Sequence, residues 1–168
     1  MQDGASKLHL FVPADLLDLL AAPLRRLDDD GMTLVFAESC TAGLAAVAVS
    51  SVPELGHVLE AAFVTYSDEA KVRLLGAPGS LLDEAGAVSE AVAKSMAQGA
   101  LQRSDADVAI AVTGFAGPAG PSDEEGLVHF AMANSAGSVL HRVEHFGAIG
   151  QDAVRLKALG VIFELLEA

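Results

Sequence analysis

An α/β domain is the fold class that this sequence of 168 residues predicts, on three observations. Short apolar runs without alternation, residues 34–37 and 108–112, suit strands covered on both faces. Helix-spaced segments stand between the strands, the alternation that builds a mostly parallel sheet. Near the C-terminus two alternating stretches flank Asn134-Ser135-Ala136-Gly137, which adds an antiparallel hairpin before a last helix.

The elements follow in order. Residues 12–27 place Leu16, Leu17, Leu19, Leu20, Leu24 and Leu27 near helical spacing, with Pro13 tolerable in a first turn and Asp28-Asp29-Asp30-Gly31 ending the run, so they predict an amphipathic N-terminal helix. Residues 32–37 are the first strand, and 41–51 a helix of small residues closed by Val52-Pro53. A second strand over 61–66 leads into a helix over 68–75 that stops at Gly76-Ala77-Pro78. Ser89 reads as the N-cap of a helix to about Arg103, because Val92, Met96 and Ala100 trace one apolar face beside Ala93, Ala97 and Leu101. The buried strand 108–112 opens into 114–121, too rich in Gly and Pro for regular structure. Residues 126–133 and 138–146 form the hairpin. The closing helix, 151–166, places Val154, Ala158, Val161, Ile162 and Leu165 on its apolar face.

Composition narrows the function classes. A 52% hydrophobic chain with 16 glycines and 5% aromatics describes one compact domain over residues 1–168, packed closely through small side chains. A net charge of −13 repels nucleic acid and anionic lipid alike. No apolar run approaches the roughly 18 to 20 residues of a membrane span, and Met1-Gln2-Asp3-Gly4 does not open a signal peptide. The expectation is a cytoplasmic protein with no membrane or nucleic-acid partner. The single cysteine, Cys40, excludes an internal disulfide and argues against structural zinc. His9, His57, His129, His141 and His145 show no metal-ligand spacing, so neither metal nor cofactor is expected; His141 and His145 read as solvated or packed on the hairpin.

Chemistry gathers at the ends of the strands. Ser39 lies where the first strand turns into a helix, and serves either as a helix N-cap or as a nucleophile; Thr41 competes for the capping role. Lys71 falls in the first turn and a half of its helix, where a cation opposes the dipole, whereas Asp68 and Glu69 suit that dipole. In a dry pocket the neutral, basic form of this lysine is favoured, whereas at the surface it pairs with nearby carboxylates. Tyr66, the one tyrosine, ends the second strand, either facing the same cleft or packed with its tip in water. The loop 113–120 can present backbone N–H groups to an anion or serve as a plain connection, and it carries no Walker A pattern. Cys40 reads as a buried thiol rather than a nucleophile, and Ser122-Asp123-Glu124-Glu125 as a solvated loop tip.

Four segments then carry a resemblance. Ala37-Glu38-Ser39-Cys40-Thr41-Ala42-Gly43, Val64-Thr65-Tyr66-Ser67-Asp68-Glu69-Ala70-Lys71, Gly86-Ala87-Val88-Ser89-Glu90 and Val112-Thr113-Gly114-Phe115-Ala116-Gly117-Pro118 resemble, in order and spacing, the CinA C-terminal domain family in its stand-alone form. The resemblance implies a three-layer α/β/α domain with a mixed, mostly parallel sheet and a C-terminal hairpin plus helix. It also implies nicotinamide mononucleotide deamidase activity, giving nicotinate mononucleotide and ammonia in pyridine nucleotide recycling, without a cofactor.

On that resemblance the catalytic residues are Ser39, Tyr66 and Lys71, with Lys71 taking the serine proton and Tyr66 orienting the pair or relaying a proton to ammonia. Backbone N–H groups from Cys40 to Gly43 would hold the oxyanion. The nucleotide would lie against Thr41, Thr113, Gly114, Ala116, Gly117 and nearby helix N-termini, with Glu38 on Lys71 or a sugar hydroxyl. Where relatives carry Lys-Pro-Val-Gly-Thr-Val, this chain has Asp123-Glu124-Glu125-Gly126-Leu127-Val128, and Gly150-Gln151-Asp152 replaces a Gly-Asp-Arg; both changes remove a cation and predict weaker phosphate binding. A non-catalytic nucleotide-binding or regulatory module linked to competence and damage responses is the alternative, and a structural oligomerisation domain a third. Small apolar helices suggest a homodimer or higher homo-oligomer.

Overall fold

The computed structural model describes residues 12–167; the leading Met1–Gly4 segment and His9 lie outside them. Among the described residues, five strands form one mixed sheet in the order β2-β1-β3-β4-β5. Strand β1 (Leu34–Glu38) runs parallel to β2 (Leu59–Val64) on one side and to β3 (Val108–Gly114) on the other. The hairpin of β4 (Leu127–Asn134) and β5 (Val139–His145) continues antiparallel from β3, so only β4 runs against the rest.

The two faces of the sheet carry side chains of different size. Leu34, Phe36, Ile110, Val112, Val128 and Phe130 bury one face against α2 (Ala21–Asp29), α3 (Leu44–Ser50) and α7 (Gln151–Leu166). Val35, Ala37, Ala109, Ala111, Ala131 and Ala133 bury the other against α6 (Glu90–Gln102), itself lined by Val92, Ala93, Met96, Ala97 and Ala100. Alternating residues of each strand thus serve opposite layers, as the pleat requires, and the alanine face lets α6 lie close. The expected three-layer α/β/α architecture is the one observed.

Several boundaries differ from the sequence reading for identifiable reasons. The N-terminal segment is two helices, α1 (Ala14–Asp18) and α2, rather than one. In a continuous helix Pro23 would leave the Leu19 carbonyl without its N–H donor and crowd it; breaking at Leu19–Leu20 moves the proline into the first turn of α2. Helix α3 starts at Leu44 and not at Thr41, because Ala42 and Gly43 take positive φ of 53° and 98°. The short helix over Gly79–Ala85, α5, falls in a stretch that the sequence reading left without an element.

Lys71 sits at an irregularity. Helix α4 (Asp68–Ala70) is capped by Ser67, whose Oγ accepts from the Ala70 N–H at 3.1 Å, and widens at once into a π turn over Lys71–Leu75. Such turns are rare and concentrate at functional sites. Gly99 on α6 makes room for it: a Cβ there would lie 2.1 Å from the Leu75 carbonyl oxygen.

On the alanine face, His129 of β4 and His141 of β5 meet through Nδ1 and Nε2 at 3.1 Å, and His141 Nδ1 lies 3.5 Å from Glu90, which is bonded to Lys94. His145 instead meets Glu124 at 2.7 Å. Burial first, and then the neighbouring His141, hold the His129 imidazole below its ordinary value. A histidine depressed in this way takes up its proton more readily when unfolded, so stability falls as pH drops through the unfolded value of about 6.5. Thermal midpoints measured from about pH 7.5 down to about pH 5.5 should decline more steeply for the wild type than for His129→Gln; matching slopes would contradict this.

Candidate active site

The cleft forms at the carboxyl ends of β1, β2 and β3. The chain leaves β1 for β2 through α3 on one face and returns from β2 to β3 through α6 on the other, so β1 is the switch point at which open α/β sheets hold ligands. A cavity of about 260 Å³ opens there. Ser39 and Cys40 from the end of β1, Tyr66 and Lys71 from the β2 side, and the loop after β3 line it.

Glu38 sets the geometry of the first wall. Its side chain is fully buried at the last residue of β1. Oε2 accepts from the Thr41 hydroxyl at 2.6 Å and from the N–H groups of Gly43 and Ala45 at 2.9 and 3.2 Å, while Oε1 accepts from the Ala46 N–H at 3.0 Å. A carboxylate is the preferred partner for the unpaired donors of a helix N-terminus, and here the chain supplies its own to α3. Three expectations are corrected at once. Ser39 is not the cap of α3. Glu38 meets neither Lys71 nor the cavity. The Thr41 hydroxyl and the Gly43 N–H are committed to Glu38 and do not face the cleft, so the α3 N-terminus is closed to an external anion.

What remains free on this turn is specific. The Ser39 N–H donates to Val112 and the Ala42 N–H to the Ser39 carbonyl. The Ser39 hydroxyl and the N–H groups of Cys40 and Thr41 have no acceptor among the described residues. Cys40 is buried, and loss of solvation pushes its thiol up to about 12. A thiol so disposed holds no appreciable thiolate at neutral pH, in line with the inert reading.

Lys71 is 1% exposed, which removes the solvated-lysine alternative. Its Nζ lies 3.5 Å from the Tyr66 carbonyl and 3.5 Å from Asp68 Oδ1. No hydrogen bond joins Lys71 to Ser39; the two face one cavity. Tyr66 is 65% exposed, so its ring stands at the mouth and not in the core. From the third wall, Thr113 directs its hydroxyl to the Ala87 carbonyl at 2.9 Å, which ties the loop after β3 to the segment leading into α6. Thr113, Gly114, Ala116 and Gly117 all line the cavity.

Sequence reasoning gave no cleft position to Asp68, Ala87 and Val88, which also line it, as do Phe115 of the loop after β3 and Gln151, where the resemblance had marked a lost cation. The Ala87-Val88 pair lies inside one of the four resembling segments, and that was the available signal. Gln151 reaches the cleft from the start of α7, and Arg155, one turn on, donates from Nε to the Cys40 carbonyl at 2.9 Å; nothing in the local sequence connects α7 to the β1 turn.

Residues 18–168 match the CinA C-terminal domain. The chain belongs to the CinA C-terminal domain family. It is 48% identical over 125 residues to a CinA-like protein of Geobacter metallireducens, a match covering 73% of this chain and 30% of that protein. A CinA-like protein of Akkermansia muciniphila is 42% identical over 144 residues, covering 82% and 35%. The chain therefore spans about a third of the length of these curated CinA-like relatives. Among solved structures, the competence/damage inducible protein CihA from Agrobacterium tumefaciens superposes with a TM-score of 0.89 at 39% identity, covering 93% of this chain and 96% of that one. A CinA superfamily protein from Escherichia coli gives 0.84 at 36%, covering 91% and 90%. The mixed-sheet α/β fold is thus that of the CinA superfamily.

The carboxylate of Glu38 is the part of this CinA-family turn that substitution can test without touching the cleft. Glu38→Gln keeps the volume but replaces an accepting oxygen by an NH₂ group facing buried N–H donors. It should cost about 3 kcal/mol in urea unfolding, and a loss below about 1 kcal/mol would show that the turn holds without the charge.

Proposed function

We propose that this domain is an amidohydrolase that converts nicotinamide mononucleotide, or a closely related amide, to the corresponding acid and ammonia. The observation that carries the reading is the convergence of Ser39, Tyr66 and Lys71, far apart in the chain, on one cavity that Cys40, whose N–H has no backbone acceptor among the described residues, also lines. In this mechanism Ser39 Oγ attacks the carboxamide carbon while Lys71 accepts its proton, a serine–lysine arrangement in place of a histidine base. The oxyanion would be met by the N–H of Cys40, which lines the cavity, rather than by the whole span to Gly43, such a donor contributing on the order of 3 kcal/mol. Collapse of the tetrahedral adduct breaks the C–N bond, ammonia leaves with the proton returned from Lys71 or through Tyr66, and water then cleaves the serine ester.

The nucleotide's phosphate would lie near the backbone of Ala116 and Gly117 and the start of α7. That 16-residue helix has no side-chain cap at Gly150, and its first residue, Gln151, lines the cavity. With Gln151 there and Asp68 opposite, phosphate binding would rely on backbone donors.

A second reading, a nucleotide-binding CinA-type module without turnover, has its own support in the Lys71–Asp68 contact, since an ammonium held by a carboxylate is a poor base. Ammonia release decides between them. The wild type should turn over the nucleotide, while Ser39→Ala and Lys71→Ala should each lose about 10² to 10⁴-fold. A wild type no faster than Ser39→Ala, with its melting point still raised by the nucleotide, would establish the binding module instead.

A further inference from the structure

A cation stands behind the nucleophile turn, and the mechanism above gives it no part. Arg155, half-buried in the second turn of α7, crosses to the Cys40 carbonyl with an Nε–O distance of 2.9 Å. Helix α7 does not need this bond to dock, because Val154, Ala158, Leu159 and Ile162 are fully buried against the sheet. What the bond constrains is the turn. Glu38 grips its far end at Thr41, Gly43, Ala45 and Ala46, and leaves the Cys40 peptide without an anchor of its own.

The Cys40 carbonyl and the Thr41 N–H belong to one planar trans peptide. Arg155 holds the oxygen of that unit, and so fixes the peptide that joins the cavity-lining pair Ser39 and Cys40 to the fully buried Thr41. A charged donor on the oxygen holds that peptide plane more firmly than a neutral one would. Resting on the amidohydrolase reading, we propose that Arg155 is a positioning residue that fixes the Cys40–Thr41 peptide, and with it the Ser39 hydroxyl and the Cys40 N–H on the turn that lines the cavity.

The one cysteine supplies a readout that is independent of turnover. The Cys40 thiol is shielded while the turn is held, and loosening the turn exposes it to an aromatic disulfide reagent. Arg155→Ala should lower kcat by about tenfold or more with KM changed less than about threefold, and should speed labelling of Cys40 by about tenfold. Ethylguanidinium at millimolar concentration should recover part of both, which a general loss of α7 docking would not allow. If Arg155→Ala gives no cooperative melt, Arg155→Gln takes its place, since the shorter neutral side chain cannot make the same bond. A folded variant with wild-type kcat, or with wild-type labelling despite reduced kcat, overturns the proposal. A wild type that releases no ammonia sinks the amidohydrolase reading and the catalytic part of this proposal with it, and the labelling ratio then decides by itself whether Arg155 holds the turn.

Discussion

One buried carboxylate organises this molecule. Glu38 ends a strand in the centre of the sheet and satisfies the donors of the helix that follows, so the passage from β1 to α3 has a single low-energy path. The positive φ of Ala42 and Gly43 is tolerable because the carboxylate over-determines it. Ser39 is thereby left lining the cavity, its hydroxyl without a partner among the described residues. An unpaired charge at this depth would be heavily penalised; several donors around one anion turn the same burial into a rigid corner.

The other walls are fixed by packing rather than by charge. Lys71 reaches the cavity because α4 changes to a π turn just where it begins, and that turn is held by the close approach of Leu75 to Gly99. The Thr113–Ala87 hydrogen bond links the loop after β3 to the entrance of α6. Three elements from distant parts of the chain thus converge through one ionic corner, one close backbone contact and one side-chain hydrogen bond.

Much of this was legible in the sequence. The strand runs, the hairpin, the Ser89 cap and the last helix follow from periodicity and cap chemistry, which are local. Ser39, Tyr66, Lys71 and the 113–117 loop were legible as strand-end features, and the resemblance added their grouping. The roles of Glu38, Thr41 and Gly43 were not, because a glutamate that caps a helix from the preceding strand has no signature distinct from one that faces a ligand. The break at Leu19–Leu20 was present in Pro23, but the leucine spacing outweighed it. Gln151 was marked only through the resemblance, and the reach of Arg155 depends on where α7 crosses the sheet, a matter of tertiary packing that no local pattern encodes.

The unequal faces of the sheet carry an evolutionary consequence. On the side of α6, alanines on the strands and Gly99 on the helix leave no room for a larger side chain without moving Leu75, and with it the lysine. That half of the protein is therefore frozen by volume, while the segment after β3 and the opening of α7, which meet at Gly117 and Gln151, can drift. Descendants of this scaffold would diversify their ligands at that seam and keep the reactive corner unchanged.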